Sequence, residues 1–187
     1  MANQDSPFGL RAIGKIGQNR DNQGLAEFSI AASAGAIFGQ DPVKALATGT
    51  IGVAAAGNSL LGALNGVFFT DANTSKPTFA NHLLAGNTAT DIVGFVSSDP
   101  YERFEIQSDN TLASAQTDVF MNYDINYTAG DSANYVSAVQ LDDSTTSATS
   151  GQLKVIGVSK DIDNNDLGAS HVNFVVTINE HFLKQVA

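Results

Sequence analysis

Three histidines, nineteen carboxylates and no cysteine set the chemical repertoire of this chain. No two of His82, His171 and His181 stand at i, i+4, and no His-Glu-x-x-His occurs, so the spacing marks no zinc-protease site. His181 follows Glu180 in an extended stretch, where neighbouring side chains point to opposite faces. The histidines therefore read as surface or hydrogen-bonded residues. Without cysteine there is no disulfide, thiolate nucleophile, zinc finger or iron–sulfur site. Only Ser or Thr could act as a nucleophile of the hydroxyl or thiol class, and no Gly-x-Ser-x-Gly elbow positions one.

Two phosphate- and cation-like patterns fail on inspection. Gly14-Lys15-Ile16-Gly17 and the glycines between Gly35 and Gly66 form neither a Walker loop nor a Gly-x-Gly-x-x-Gly turn between strand and helix, and read as turns and close packing points. Asp161-Ile162-Asp163-Asn164-Asn165-Asp166 alternates oxygen ligands like the start of an EF-hand loop. Its sixth position is Asp166 instead of Gly and its twelfth is Val172 instead of Glu, so it reads as a solvated hairpin loop. A glycosidase-like carboxylate pair cannot be nominated among so many acids, and the aromatic content is only 8% with no tryptophan to hold a sugar. The expectation is no catalytic residue, no cofactor and no metal.

The net charge of −10 argues against nucleic acid, which calls for clustered Lys and Arg. The charge is uneven. Arg11, Lys15 and Arg20 face only Asp5 within the first twenty residues, whereas Asp91 to Asp143 holds ten acids and a single base, Arg103. A basic end that docks on an acidic protein and an acidic part that faces water would divide the charge in this way. The opening residues lack the apolar core of a signal peptide, and the most apolar stretch, Ala31 to Leu64, is interrupted by Gly, Asp, Lys, Asn and Pro. Neither a leader nor a membrane span is expected.

These side chains must be positioned by short extended segments. Residues 1–24 are rich in Gly and polar residues without lasting periodicity, and predict an extended N-terminal arm. Within it Phe8 and Leu10 are apolar side chains that need cover, and with Arg11, Lys15 and Arg20 they are the predicted partner-binding residues. Residues 25–187 predict a single β-rich domain. Period-two alternation or β-branched runs mark strands at Leu25–Ala31, Gly49–Ala56, Ala63–Thr70, Asp91–Ser97, Tyr101–Ser108, Tyr135–Leu141, Leu153–Ser159 and Val172–Phe182. Val43 and Thr78-Phe79 begin shorter ones, and Asp118–Tyr127 suits a strand or a short helix. Leu112–Tyr123 and Asn58–Leu64 are the other places for a short helix. Asp142–Gly151 (DDSTTSATSG) predicts an exposed loop tip. The sum is an all-β antiparallel barrel or sandwich with an extended N-terminal arm and at most one or two short helices.

Five stretches, in order from end to end, carry a family resemblance: Ala2–Arg11 (ANQDSPFGLR), Phe38–Val43 (FGQDPV), Gly66–Ala72 (GVFFTDA), Ser98–Gln107 (SDPYERFEIQ) and Val176–Phe182 (VTINEHF). In these the chain resembles capsid decoration (cement) proteins of tailed bacteriophages, notably marine and cyanobacterial phages. It departs from them in a polar insertion at Asn73–Lys76 and the Ala-rich Ala31–Ala36. The resemblance implies a small β protein on the outside of an icosahedral shell, binding a major capsid protein of the HK97 type and bridging its subunits. It implies self-association, as a trimer before a dimer, and a location on the virion exterior after assembly in the host cytoplasm. No catalytic residue comes with it. A head-fibre module that binds a receptor or carbohydrate is the alternative; Tyr101, Tyr123, Tyr127 and Tyr135 are its candidate platform, though core or strand-edge packing suits them better. A carboxylate-dependent hydrolase ranks last.

Overall fold

The computed structural model describes residues 3–17 and 24–184. Alternation in short segments yields twelve strands: β1 (Arg11–Lys15), β2 (Ala26–Ser29), β3 (Pro42–Ala45), β4 (Ile51–Val53), β5 (Gly62–Thr70), β6 (Pro77–Ala80), β7 (Val93–Ser97), β8 (Glu102–Gln107), β9 (Asn122–Asn126), β10 (Gln140–Ser147), β11 (Leu153–Val158) and β12 (Asn173–Ile178). A single 3-10 turn, Gln116–Asp118, is the one helical element among the described residues. Among the described residues no helix is long and apolar enough to cross a membrane.

The strands form two antiparallel sheets. The first runs β1-β8-β12-β11-β9-β10; the second runs β2-β7-β5-β3-β4, with β6 paired to the far half of β5. The all-β expectation holds in its sandwich form, since neither sheet closes into a barrel. In the first sheet Phe104, Ile106, Ile125, Leu153, Phe174 and Val176 alternate onto one face and pack into a core with Tyr123 and Leu141. In the second, Ile30, Val43, Leu64, Val67 and Val96 build a separate core. The sheets are joined by the short bridges Gly39–Val136 and Leu60–His181. Gln152 adds to the joint: its Nε2 donates to the carbonyls of Ala55 and Asn58 at 3.0 and 2.7 Å.

Several segments differ from their sequence expectation, among them Tyr135–Leu141, of which only Gln140 and Leu141 are strand. Residues 142–147 belong to β10 instead of a loop tip, because Asp142 pairs with Asp124 of β9 and backbone pairing does not require apolar side chains. The opening segment is extended but does not hang free. Arg11–Lys15 pairs with β8 across a register shift at Ala12/Gly14, and the Leu10 amide donates to the Gln40 carbonyl at 2.9 Å. Gly9 permits that approach. Its φ is +76°, and a Cβ there would lie 2.4 Å from the Gln40 oxygen. Asn58–Leu64 holds no helix; its end opens β5.

Candidate partner-binding surface

The five residues predicted to meet a partner have divergent placements. Leu10 is fully buried in the core of the first sheet, so its apolar surface is satisfied within the chain and is not offered outward. Phe8 is half-buried, with the Arg11 guanidinium 4.4 Å above its ring centroid. Arg11 remains 47% exposed while it pairs with the buried Glu105. Lys15 is largely covered and donates to Asp99. Arg20 lies outside the described residues. The basic charge of residues 11 and 15 is thus already matched by the chain's own acids.

The segment before β1 is fastened by side chains that imitate a neighbouring strand. Gln107 donates to the Gln4 carbonyl at 3.0 Å and accepts from the Ser6 amide at 2.9 Å. Asn164 also donates to the Gln4 carbonyl, and Asn3 donates to the carbonyls of Asp166 and Ser170. The Asp161–Asp166 turn therefore clamps the N-terminal segment. Its first carboxylate is engaged as well: Asp161 accepts from the Asp163 amide and from Asn173 Nδ2.

The histidines lie apart. His82 stacks on Tyr135 at 3.7 Å between centroids, and its Nδ1 meets Asn81 Oδ1 at 2.8 Å. Burial lowers its pKa. His171 lies 3.7 Å from Asp5. His181 is buried, its Nδ1 accepting from the Leu183 amide at 3.1 Å. An open cleft of about 420 Å³ runs beside Phe69, Asp71, His82 and Asn87. Asp71 Oδ1 at its rim accepts from the Asn73 and Thr74 amides and the Thr74 hydroxyl, which hold its pKa below the usual value.

The tyrosines do not assemble. Tyr123 is buried and donates to Asp118 at 3.0 Å, Tyr135 stacks on His82, and Tyr101 is exposed under the Lys184 ammonium.

An aromatic face appears instead on the outer side of the second sheet. The register sets Ser29, Val93, Phe68 and Phe79 in one cross-strand row, with Glu27, Phe95 and Gly66 in the next. Phe79 is 73% exposed; its centroid lies 4.9 Å from that of Phe68 and 6.5 Å from that of Phe95. Three phenylalanines collected on a solvent-facing sheet form a larger apolar surface than scattered exposed residues would. The sequence signal for it was the doublet Phe68-Phe69: in a strand one must face in and the other out. Phe69 packs against the inner core.

Comparison with protein-family models, characterised proteins and solved structures returns no match for this chain.

Proposed function

We propose that this protein is a non-enzymatic structural component of a tailed-phage virion that binds the outer surface of the icosahedral shell and bridges neighbouring major capsid protein subunits. One observation carries the docking part of this reading: the exposed Phe79, grouped with the half-buried Phe68 and Phe95 on the outer face of the second sheet. A rigid strand surface presenting aromatic side chains suits attachment to another protein, because their burial is favourable and they lose few rotamers. The capsid itself is supported by the five ordered stretches that resemble decoration proteins. The acidic balance of the chain favours solubility of many copies held close together. Self-association on the shell, threefold before twofold, belongs to the same reading, since closed symmetric contacts suit an icosahedral lattice.

The test is sedimentation of the purified protein with HK97-type shells from the phage that encodes it, stripped of this component. Saturable binding at a fixed ratio to the capsid subunit is expected, with Phe79→Ser and Phe95→Ser together reducing occupancy at least tenfold. No binding by the wild-type chain would overturn the capsid reading. Full occupancy by the double variant would overturn the aromatic face alone and return the search to Phe8 and Arg11.

A further inference from the structure

The first sheet curls until β10, at one edge, approaches the end of β8. After β8, Ser108 bridges Leu141 of β10, and the Asp109 amide donates to the Leu141 carbonyl at 2.9 Å. Three carboxylates converge on this seam. Asp109, Asp142 and Asp143 each place an oxygen within 4.8 Å of the other two. Asp109 is 4% and Asp143 6% exposed.

The groups that reach these acids are neutral. Asp109 accepts from the Thr111 amide and Asn126 Nδ2, both at 3.1 Å. Asp143 Oδ1 accepts from the Leu112 amide at 2.8 Å. Asp142 Oδ1 accepts from the amide and hydroxyl of Ser144. Among the described residues no Lys, Arg or His forms an ion pair with any of the three. Asp143 Oδ2 is the decisive atom. It is buried, has no hydrogen-bond donor, and its carboxylate is turned toward the other two. An acceptor removed from water among like charges calls for a cation or a proton.

We propose that Asp109, Asp142 and Asp143 bind a divalent cation of the hard, oxygen-seeking class, calcium before magnesium, which clasps the seam of the first sheet. Oxygens at this spacing can share an ion at calcium–oxygen distances of about 2.3–2.6 Å, with water or backbone carbonyls completing a flexible shell. Magnesium demands a tighter octahedron and sheds water reluctantly, which suits a partly buried strand seam less well. The ion would tie Asp109, at the end of β8, to β10 more than thirty residues away. Burial and the Asp109 charge raise the Asp143 pKa to about 7, in keeping with a site short of positive charge. The inference stands independently of any capsid partner.

The test is calorimetric titration of the EDTA-treated full chain with calcium chloride and, separately, magnesium chloride at constant ionic strength, paired with thermal melts. One saturable calcium site is expected, with a dissociation constant no weaker than about 1 mM, the weak end of protein calcium sites. The melting temperature should rise with calcium. Asp143→Asn should weaken binding at least tenfold and erase the rise. Asp142→Asn, at the more exposed carboxylate, should do the same in a chain that folds normally if the buried variant does not. Absence of both heat and a calcium-specific melting shift in the wild type would overturn the site and leave a proton shared between Asp109 and Asp143. Undiminished binding by the Asp142 variant would also overturn it, by placing the ion elsewhere. Tighter binding of magnesium than calcium would overturn the choice of ion.

Discussion

The Gln107 side chain holds the backbone of Gln4 as an adjacent strand would, its amide nitrogen donating to the Gln4 carbonyl at 3.0 Å. The same side chain takes the Ser6 amide on its oxygen, so one residue closes a two-bond ladder. Gln107→Leu should keep the fold and lose about 1–3 kcal/mol, the usual cost of stranding buried polar groups. Hydrogen exchange is the sensitive readout. The Ser6 amide should lose protection at least tenfold, while amides of β12 keep theirs.

Leu10 and Phe8 stand two residues apart and should respond very differently to truncation. Leu10→Ala opens a cavity in the first core and should cost about 2–5 kcal/mol in urea unfolding. Phe8→Ala removes a half-buried ring and its contact with Arg11, and should cost less than Leu10→Ala. Comparable losses would mean that Phe8 is as deeply committed to the core as Leu10.

Phe79 projects from β6 with most of its surface in water. Phe79→Ser should lower stability by no more than about 1.5 kcal/mol, the upper range for an exposed aromatic pair. A cooperative melt close to that of the wild type would separate a loss of shell binding from a loss of fold.

Protonation of His181 should work against folding at acid pH. Burial first, and the Lys184 charge second, hold its pKa below 6.5, while Asp99 and the Ser98 backbone act in the opposite direction. Lys15 already occupies Asp99. The unfolded chain takes up this proton near pH 6.5 and the folded chain only at lower pH. The His181 contribution to stability is therefore lost as pH falls below 6.5, by at most about 1.4 kcal/mol per pH unit, until the folded pKa is reached. Asp143, whose pKa is raised to about 7, gives an opposing gain over the same range, so the test is the comparison: between pH 7.5 and 5.5 the urea midpoint of His181→Gln should shift in the stabilising direction relative to that of the wild type.

Strands with a buried face were legible in the sequence because one surface imposes period two. Tyr101–Ser108 enclosed β8, Leu153–Ser159 enclosed β11 and Val172–Phe182 enclosed β12. β1 was hidden because Gly14 interrupts its alternation and its pairing comes from a strand about ninety residues away. Only the first two residues of β10 fell within the predicted strand Tyr135–Leu141; the rest was hidden because its run of Asp, Ser and Thr carries the composition of a loop, while Leu141 alone enters the hydrophobic core. The outer phenylalanines and the three seam aspartates needed register and curvature to meet. Spacing along the chain does not encode either one.

Both borders of the first sheet are poor templates for another strand. On one side β1 carries Arg11 and Lys15 and is bent at Ala12/Gly14; on the other β10 carries Asp142 and Asp143 and slips register before Ser147. Charge and irregularity at a border make the addition of a foreign strand costly. A polypeptide crowded among copies of itself can thereby keep its backbone from zipping into fibrils, leaving recognition to side chains.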